Sequence, residues 1–411
     1  MGKIEHKGAV ESLIINGEDV SNLEHNIEII EDFYSHSITA TISIIDGINM
    51  FEDLFNEKCP KVNIRWKSIL NGENVGTSDF EGYIVKVSDR YIIKNDLVRY
   101  VFHVITKEIL INEINRFSKV YKGTISDIAK EIFQEHIGGE LITENTKTDQ
   151  KHKIIIPYWT PFYTINWLAS RAVRESNDAC DFSFFQDLDG NFHFESLDKY
   201  IENNSSQGLD KLFQYEGNRN DSNPDNVFGA IEEMNLINGT DTLDRLMSNM
   251  YSGSLIRHDI STKRIMLDEF KYSQYENNRV EENKFETNID PAGNLEVNNF
   301  KKYVKLYPQH KGIFNGEFYH IPNDRGRWAE DWAYQRQSAM MGQTAGMRYQ
   351  IISPGDANRR VGDVIELETL GGGGEDCGFM SGKWIVTCAV HFINSSQRYR
   401  TAIEITRNGM V

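Results

Sequence analysis

A chain of 411 residues with 39% hydrophobic and 11% aromatic residues is globular and, at roughly 100–200 residues per domain, holds about two to four domains. Its 61 acidic side chains against 44 basic ones leave a net charge of −17, which repels phosphate and speaks against a protein built to grip DNA or RNA. No run approaches the roughly 18 apolar residues of a membrane span, and the N-terminal residues lack the apolar segment of a secretory signal. The cysteines, Cys59, Cys180, Cys377 and Cys388, are too scattered for a disulfide framework or a zinc site and read as free thiols of a reducing cytoplasm.

Residues 1–112 read as antiparallel β-structure. Val62, Ile64 and Trp66 alternate with polar neighbours, as do Ile38, Ala40, Ile42 and Ile44. Gly82 to Val87 and Leu97 to Thr106 form a hairpin with its tip at Lys94-Asn95-Asp96. Residues 113–200 change character. Thr124 or Ser126 caps a helix with the apolar face Ile125, Ile128, Ala129, Ile132 and Phe133. A second helix begins after Pro161, with Ile165, Leu168, Ala169, Ala172 and Val173 at helical spacing. A hairpin then pairs Phe182–Gln186 with Phe192–Ser196 around Asp187 to Asn191.

The stretch 201–325 is the most polar. Residues 218–226 read as a loop, 240–250 as a short helix and 275–299 as a surface excursion. Residues 327–346 spell a helix with Trp328, Trp332, Ala339 and Met340 on one face, expected to pack on the β-structure that follows. From Met347 onward the chain alternates again, with Val361 to Leu367 prominent and Gly371 to Gly374 as a hairpin tip. The hairpin beginning at Gly82 registers without a gap on one beginning at Gly382: Ile93 falls on Ile393, Ile105 on Ile405 and Thr106 on Thr406. Such self-similarity suggests two related β domains bracketing a mixed middle.

No motif signals catalysis. Gly378 to Lys383 imitates a phosphate loop, but lacks one spacer residue and has Trp384 where Ser or Thr is needed. Asp187, Asp189 and Asn191 imitate the start of a calcium loop, but Phe192 stands where its glycine belongs, and an Asp-Gly hairpin turn accounts for the run. His193 and Glu195 share a strand face and suit a metal ligand pair less well than an ordinary solvated face. The aromatics Tyr158, Trp159, Phe162 and Tyr163 suit a core plug better than a sugar platform. The expectation is no enzyme, no cofactor and no metal.

The runs Ile156 to Leu168, Gly253 to Asp259, Arg360 to Leu367 and Ser381 to Val386, in this order and spacing, resemble the baseplate central hub protein of contractile-tailed bacteriophages, a family related to the N-terminal hub part of VgrG spike proteins of type VI secretion. The resemblance implies an α+β, mainly β fold in which two tube-type antiparallel β-barrel domains flank an inserted mixed α+β domain. Residues 1–112 are then the first barrel; 113–210 and 251–325 the two parts of the middle domain; 326–411 the second barrel, with 211–250 contributing a strand and helix to it. It implies a homotrimer that adapts a threefold spike to the sixfold tail tube and forms part of the DNA conduit. The partners implied are a spike protein, a tail-tube or tube-initiator protein and other baseplate proteins, in the virion tail baseplate, assembled after synthesis in the host cytoplasm. Because the chain stops at Val411 soon after the second barrel, the spike is expected on a separate polypeptide. The rival readings are a tail-associated cell-wall hydrolase and a carbohydrate- or receptor-binding tail module.

One local departure from the acidic balance stands out. In the C-terminal hairpin Lys383, Arg398, Arg400 and Arg407 outnumber Glu404. These four are the candidate protein-interface residues, expected to meet acidic groups of a neighbouring subunit or partner and to turn away from the pore. The pore itself is expected to be roughly 25–40 Å wide with a wall that is not net positive, so that a duplex slides without stable nucleic-acid binding.

Overall fold

The computed structural model describes residues 6–47, 51, 59–94, 97–143, 148, 152–175, 180–197, 199–200, 210–213, 228–238, 252–259, 263–271, 304–309, 347–368 and 381–407. The first part comprises β1 (His6–Ile15), β2 (Glu18–Asp19), β3 (Glu24–Asp32), β4 (Thr39–Asp46), β5 (Lys61–Leu70), β6 (Glu73–Lys94) and β7 (Leu97–Ile105). Then come α1 (Lys107–Ile114), β8 (Phe117–Gly123), α2 (Ile125–His136), β9 (Leu141–Ile142), β10 (His152–Trp159), α3 (Pro161–Ala169), β11 (Phe182–Gln186) and β12 (Phe192–Ser196). The remainder is β13 (Asp210–Phe213), β14 (Glu233–Asn238), β15 (Ser252–Asp259), β16 (Arg264–Lys271), β17 (Val304–Gln309), β18 (Met347–Pro354), β19 (Val364–Glu368), β20 (Gly382–Asn394) and β21 (Tyr399–Arg407). The helices expected at 240–250 and 327–346 and the turn at 371–374 lie outside the described residues.

One 13-stranded sheet joins the two ends of the chain. Its order is β14-β18-β21-β20-β3-β4-β7-β6-β5-β1-β2, with β19 and β13 branching from β20. The order β3-β4-β7-β6-β5 is repeated by β14-β18-β21-β20-β19, every pair antiparallel. The expected likeness of the two β regions therefore holds in strand order, although no closed barrel forms among the described residues. In each repeat one long strand serves two partners. Residues 73–83 of β6 pair with β5 and 83–94 with β7; residues 382–385 of β20 pair with β19 and 385–393 with β21.

The gapless register needs a small correction. Both hairpins carry a bulge, between Ile84 and Lys86 in one and between Val386 and Cys388 in the other. Matching the hairpins on this bulge sets Val104 against Ile405 and Ile105 against Thr406, because Ile84 pairs with Val104 and Val386 with Ile405. A bulge adds a residue to one strand only, so a match made by residue number slips by one or two positions.

The alternation read from sequence sets the cores. Ile27, Ile29, Ala40, Ile42, Ile44, Tyr100, Phe102 and Val104 point into the first core, where Val62, Ile64 and Trp66 meet them from the layer that folds back over the sheet. Trp384, Ile385, Ile403 and Ile405 anchor the second core. The middle part has its own core: α2 packs Ile128, Ile132 and Phe133 against α3 and the phenylalanines of β11 and β12. Thr124 caps α2 by accepting the Asp127 N–H at 3.2 Å, and the β11–β12 hairpin has the bounds expected. Helix α1 was not anticipated. With a helical run of eight residues and Asn112 its single buried side chain, it lacks the long apolar stripe that marks an amphipathic helix. β15, β16 and β17 form a separate three-stranded sheet. No described helix is long and apolar enough to cross a membrane.

Candidate functional site

The strands β18-β21-β20-β3-β4-β7 have one face buried in the cores and another left uncovered by the described residues, while the flanking β14 and residues 85–93 of β6 bury no side chain fully. Along β3 the uncovered positions are Asn26 and Glu28; along β4, Thr41 and Ser43; along β7, Arg99 and Val101; on β20 and β21, Phe392 and Arg400, with Arg398 in the turn between them. These residues line a groove of about 510 Å³ over the seam where β20 meets β3. The seam is a full antiparallel ladder, with Ile27 opposite Ile393 and Glu28 opposite Phe392.

The four candidate interface residues do not act as a group. Arg398 and Arg400 stand exposed on this groove, Arg400 with its Nε 2.9 Å from the Glu232 carboxylate. Lys383 is half-buried on β20, opposite Glu366 of β19. Arg407 leaves the set: it is 0% exposed, its guanidinium lies 4.3 Å from the centre of the Trp384 ring, and its Nη1 donates to the Ser381 carbonyl at 2.9 Å. Sequence alternation alone does not separate a surface arginine from one laid over a buried tryptophan.

Arg99 was missed. It donates from Nε to Ser43 Oγ at 2.9 Å and is flanked on β6 by Tyr91, as Arg400 is flanked on β20 by Phe392. Matched on the bulge, the two arginines occupy the same place in the two repeats. Matched by residue number, Arg99 falls on Tyr399, which hid the pair.

A second assembly of polar groups ties the three parts of the chain together. Glu31 of β3, fully buried, accepts the Leu188 N–H at 3.0 Å and the Val361 N–H at 3.1 Å, so one carboxylate holds the β11–β12 turn and the loop before β19. Burial pushes its carboxyl up to about 8, against the pull of the two N–H donors and Arg360. Its signal in the sequence is position: Glu31 continues the inward series Ile27, Ile29. In the adjoining turn Asp187 accepts from Asn191 N at 2.8 Å and bonds His193 Nε2 at 2.8 Å, while His193 Nδ1 lies 3.6 Å from Glu195, which Lys199 also pairs. Burial lowers His193, but the Asp187 and Glu195 carboxylates outweigh it and hold the imidazole near 9. The calcium-like run is thus a hairpin turn whose lead carboxylate is already engaged. Among the described residues no group of three or more His, Cys, Asp or Glu is arranged to hold a metal.

The aromatic run divides. Phe162 plugs the middle core as expected, whereas Tyr158 is 65% exposed at a φ of 52° and Tyr163 is also exposed.

The chain shares its fold with two proteins described as tail proteins. It aligns over 98% of its length with 97% of a tail protein from Neisseria meningitidis MC58 (TM-score 0.55, 12% identity). It also aligns over 98% with 99% of the 43 kDa tail protein of prophage MuSo2 from Shewanella oneidensis (TM-score 0.53, 12% identity). A chain of the Francisella PdpA–VgrG complex in its half-lidded form is similar over 99% of this chain and 58% of its own length, with a TM-score of 0.50 and 11% identity. No family model and no curated protein sequence matches.

Proposed function

We propose that this chain is the structural baseplate hub protein of a contractile tail, three copies of which close a ring that adapts a threefold spike to the sixfold tube and forms part of the DNA conduit. The observation that carries the reading is the seam. Within one chain, β20 of the second repeat pairs with β3 of the first. The matching edges at the other ends of the repeats, residues 86–94 of β6 and 233–238 of β14, pair with β7 and β18 on one side and have no second strand partner on the other among the described residues. Both expose apolar side chains, Ile92 at 57% and Leu236 at 56%. An open apolar edge is a liability in a monomer and an assembly device in a ring.

Copying the internal seam onto these edges gives the register between copies. Ile27 opposite Ile393 becomes Met234 opposite Ile92 of the neighbour; Glu28 opposite Phe392 becomes Asn235 opposite Tyr91. Four strands in each of six repeats, about 4.8 Å apart and tilted by about 40°, close at a backbone diameter of roughly 45–50 Å, leaving a clear lumen of roughly 30–35 Å. The uncovered face turns inward: the second sheet layers, about 10 Å deep, would narrow the lumen to roughly 15 Å if they stood inside. The two tube-type units are residues 1–112 and the combination of 211–250 with 326–411. The role is non-enzymatic, in the virion tail baseplate, with the spike, the tube and other baseplate proteins as partners. An interface above about 2,000 Å² is expected between copies.

Paired cysteines test the register. Residues directly opposite in antiparallel strands have Cα atoms about 4.5–5.5 Å apart, within disulfide reach. Ile92→Cys with Met234→Cys should give a covalent trimer on a non-reducing gel. A protein that is monomeric by light scattering at micromolar concentration, with or without its spike, refutes the ring. A cleared zone on peptidoglycan zymography that vanishes on mutating one carboxylate refutes the non-enzymatic role.

A further inference from the structure

We propose that Arg99 and Arg400 form a collar on the inner wall that contacts the phosphate backbone of duplex DNA; this rests on the ring reading above. The two guanidiniums sit on the uncovered face at the same place in the two repeats, each beside an aromatic residue, Tyr91 or Phe392. Three copies then carry six arginines at one height, one in each sixth of the circumference. The neighbouring charges do not cancel them all. Among the described residues Arg400 is paired with Glu232, Arg99 bonds the Ser43 hydroxyl and no carboxylate, and Glu28 is the one carboxylate lining the groove with Arg99, Arg398 and Arg400. Elsewhere on the face Arg348 is matched by Glu404.

The spacing selects the ligand. Around a lumen of this size, six equivalent positions stand roughly 15 Å apart, so each guanidinium acts as a separate point of charge. A duplex presents a phosphate about every 1.7 Å of its axis and on all sides, so whichever members of the ring it approaches find one, at any rotation of the duplex. An acidic polypeptide segment reaches only one side of such a ring and meets one or two of its members. The contact is weak by construction: two or three phosphates neutralised at a time give a salt slope of about −2 to −3, a contact that keeps a moving duplex off the wall without gripping it. This reverses the sequence-based expectation that the arginines of the hairpin turn away from the pore, and it adds Arg99.

The test uses the assembled full-length chain and a fluorescein-labelled duplex of about 24 base pairs, followed by anisotropy from about 20 to 200 mM salt, with polyglutamate as a second probe. Oligomeric state is measured by light scattering for every variant. Wild type should bind the duplex at the low end of that range with the slope above. Arg99→Gln should weaken binding more than Arg400→Gln, because Glu232 already half-neutralises the latter. The double variant should lose at least tenfold and flatten the slope while remaining trimeric. Duplex binding that is absent in wild type, or unchanged in the trimeric double variant, overturns the collar and leaves the ring standing. Polyglutamate that outcompetes the duplex for the same arginines also overturns it, in favour of a polypeptide ligand. A monomeric wild type removes the ring and the collar with it.

Discussion

Replacing Glu31 tests whether one buried carboxylate holds three parts of the chain together. Glu31→Leu keeps an apolar side chain of similar bulk in the same place but removes both acceptors, so the N–H groups of Leu188 and Val361 are left buried and unpaired. Each such group costs about 1–3 kcal/mol, so the loss is about 2–6 kcal/mol, less what is regained by no longer burying an acid. Glu31→Gln retains one acceptor oxygen and turns an NH₂ toward the second N–H, so it should lose about 1–3 kcal/mol. Urea unfolding read from Trp66 and Trp384, both fully buried, gives the order wild type, Gln, Leu. A Leu variant within about 0.5 kcal/mol of wild type, or one more stable than Gln, would refute the reasoning.

Four further outcomes are expected. Glu31 has a folded-state pKa near 8, above the ordinary 4.5, so its contribution is complete below pH 4.5 and is lost as pH rises toward 8; the stability gap between wild type and Glu31→Gln should narrow across that window. His193, held near 9 against 6.5, adds a loss between pH 6.5 and 9 that His193→Gln should remove from the pH profile of unfolding. Gly355→Ala would set a Cβ 2.1 Å from Tyr399 Cγ and should destabilise by about 1–3 kcal/mol or more, an effect largely relieved when Tyr399 is also shortened to Ala in a double-mutant cycle. Maleimide labelling mapped by mass spectrometry should modify exposed Cys59 well before buried Cys180 and before Cys388, whose thiol burial pushes up to about 12.

Strand alternation and helical spacing carried much of this fold, because Val62, Ile64 and Trp66 or Ile128, Ile132 and Phe133 face a core whichever elements supply its other side. The site was less legible. Arg99 looks like any outward residue of an alternating strand, and its match with Arg400 appears only once the bulges are paired. Arg407 looks equally outward in the sequence, yet Trp384 on the adjacent strand draws it into cover. Both errors arise from contacts set by register, which a bulge changes without leaving a distinctive residue behind. Glu31 shows the opposite case: an acid at an inward position is itself the sign of a specific buried partner.

The seam between β20 and β3 also imposes an order on biosynthesis. Asp32 meets Cys388 and Asn26 meets Asn394, so the partner of an early strand is made near the end of translation. At about 5–20 residues per second, β3 waits roughly 20–70 s for it. During that interval its edge is an open template for any extended chain. The strand carries Glu24, Glu28, Glu31 and Asp32 among its nine residues, and this density of negative charge discourages pairing with a second nascent copy of itself. Those carboxylates are tolerated in the finished sheet because β20 brings none of its own to that ladder: its residues from 388 to 394 are Cys, Ala, Val, His, Phe, Ile and Asn. The sheet is therefore completed by a late strand whose composition admits it, and the seam closes only when nearly the whole chain has been made.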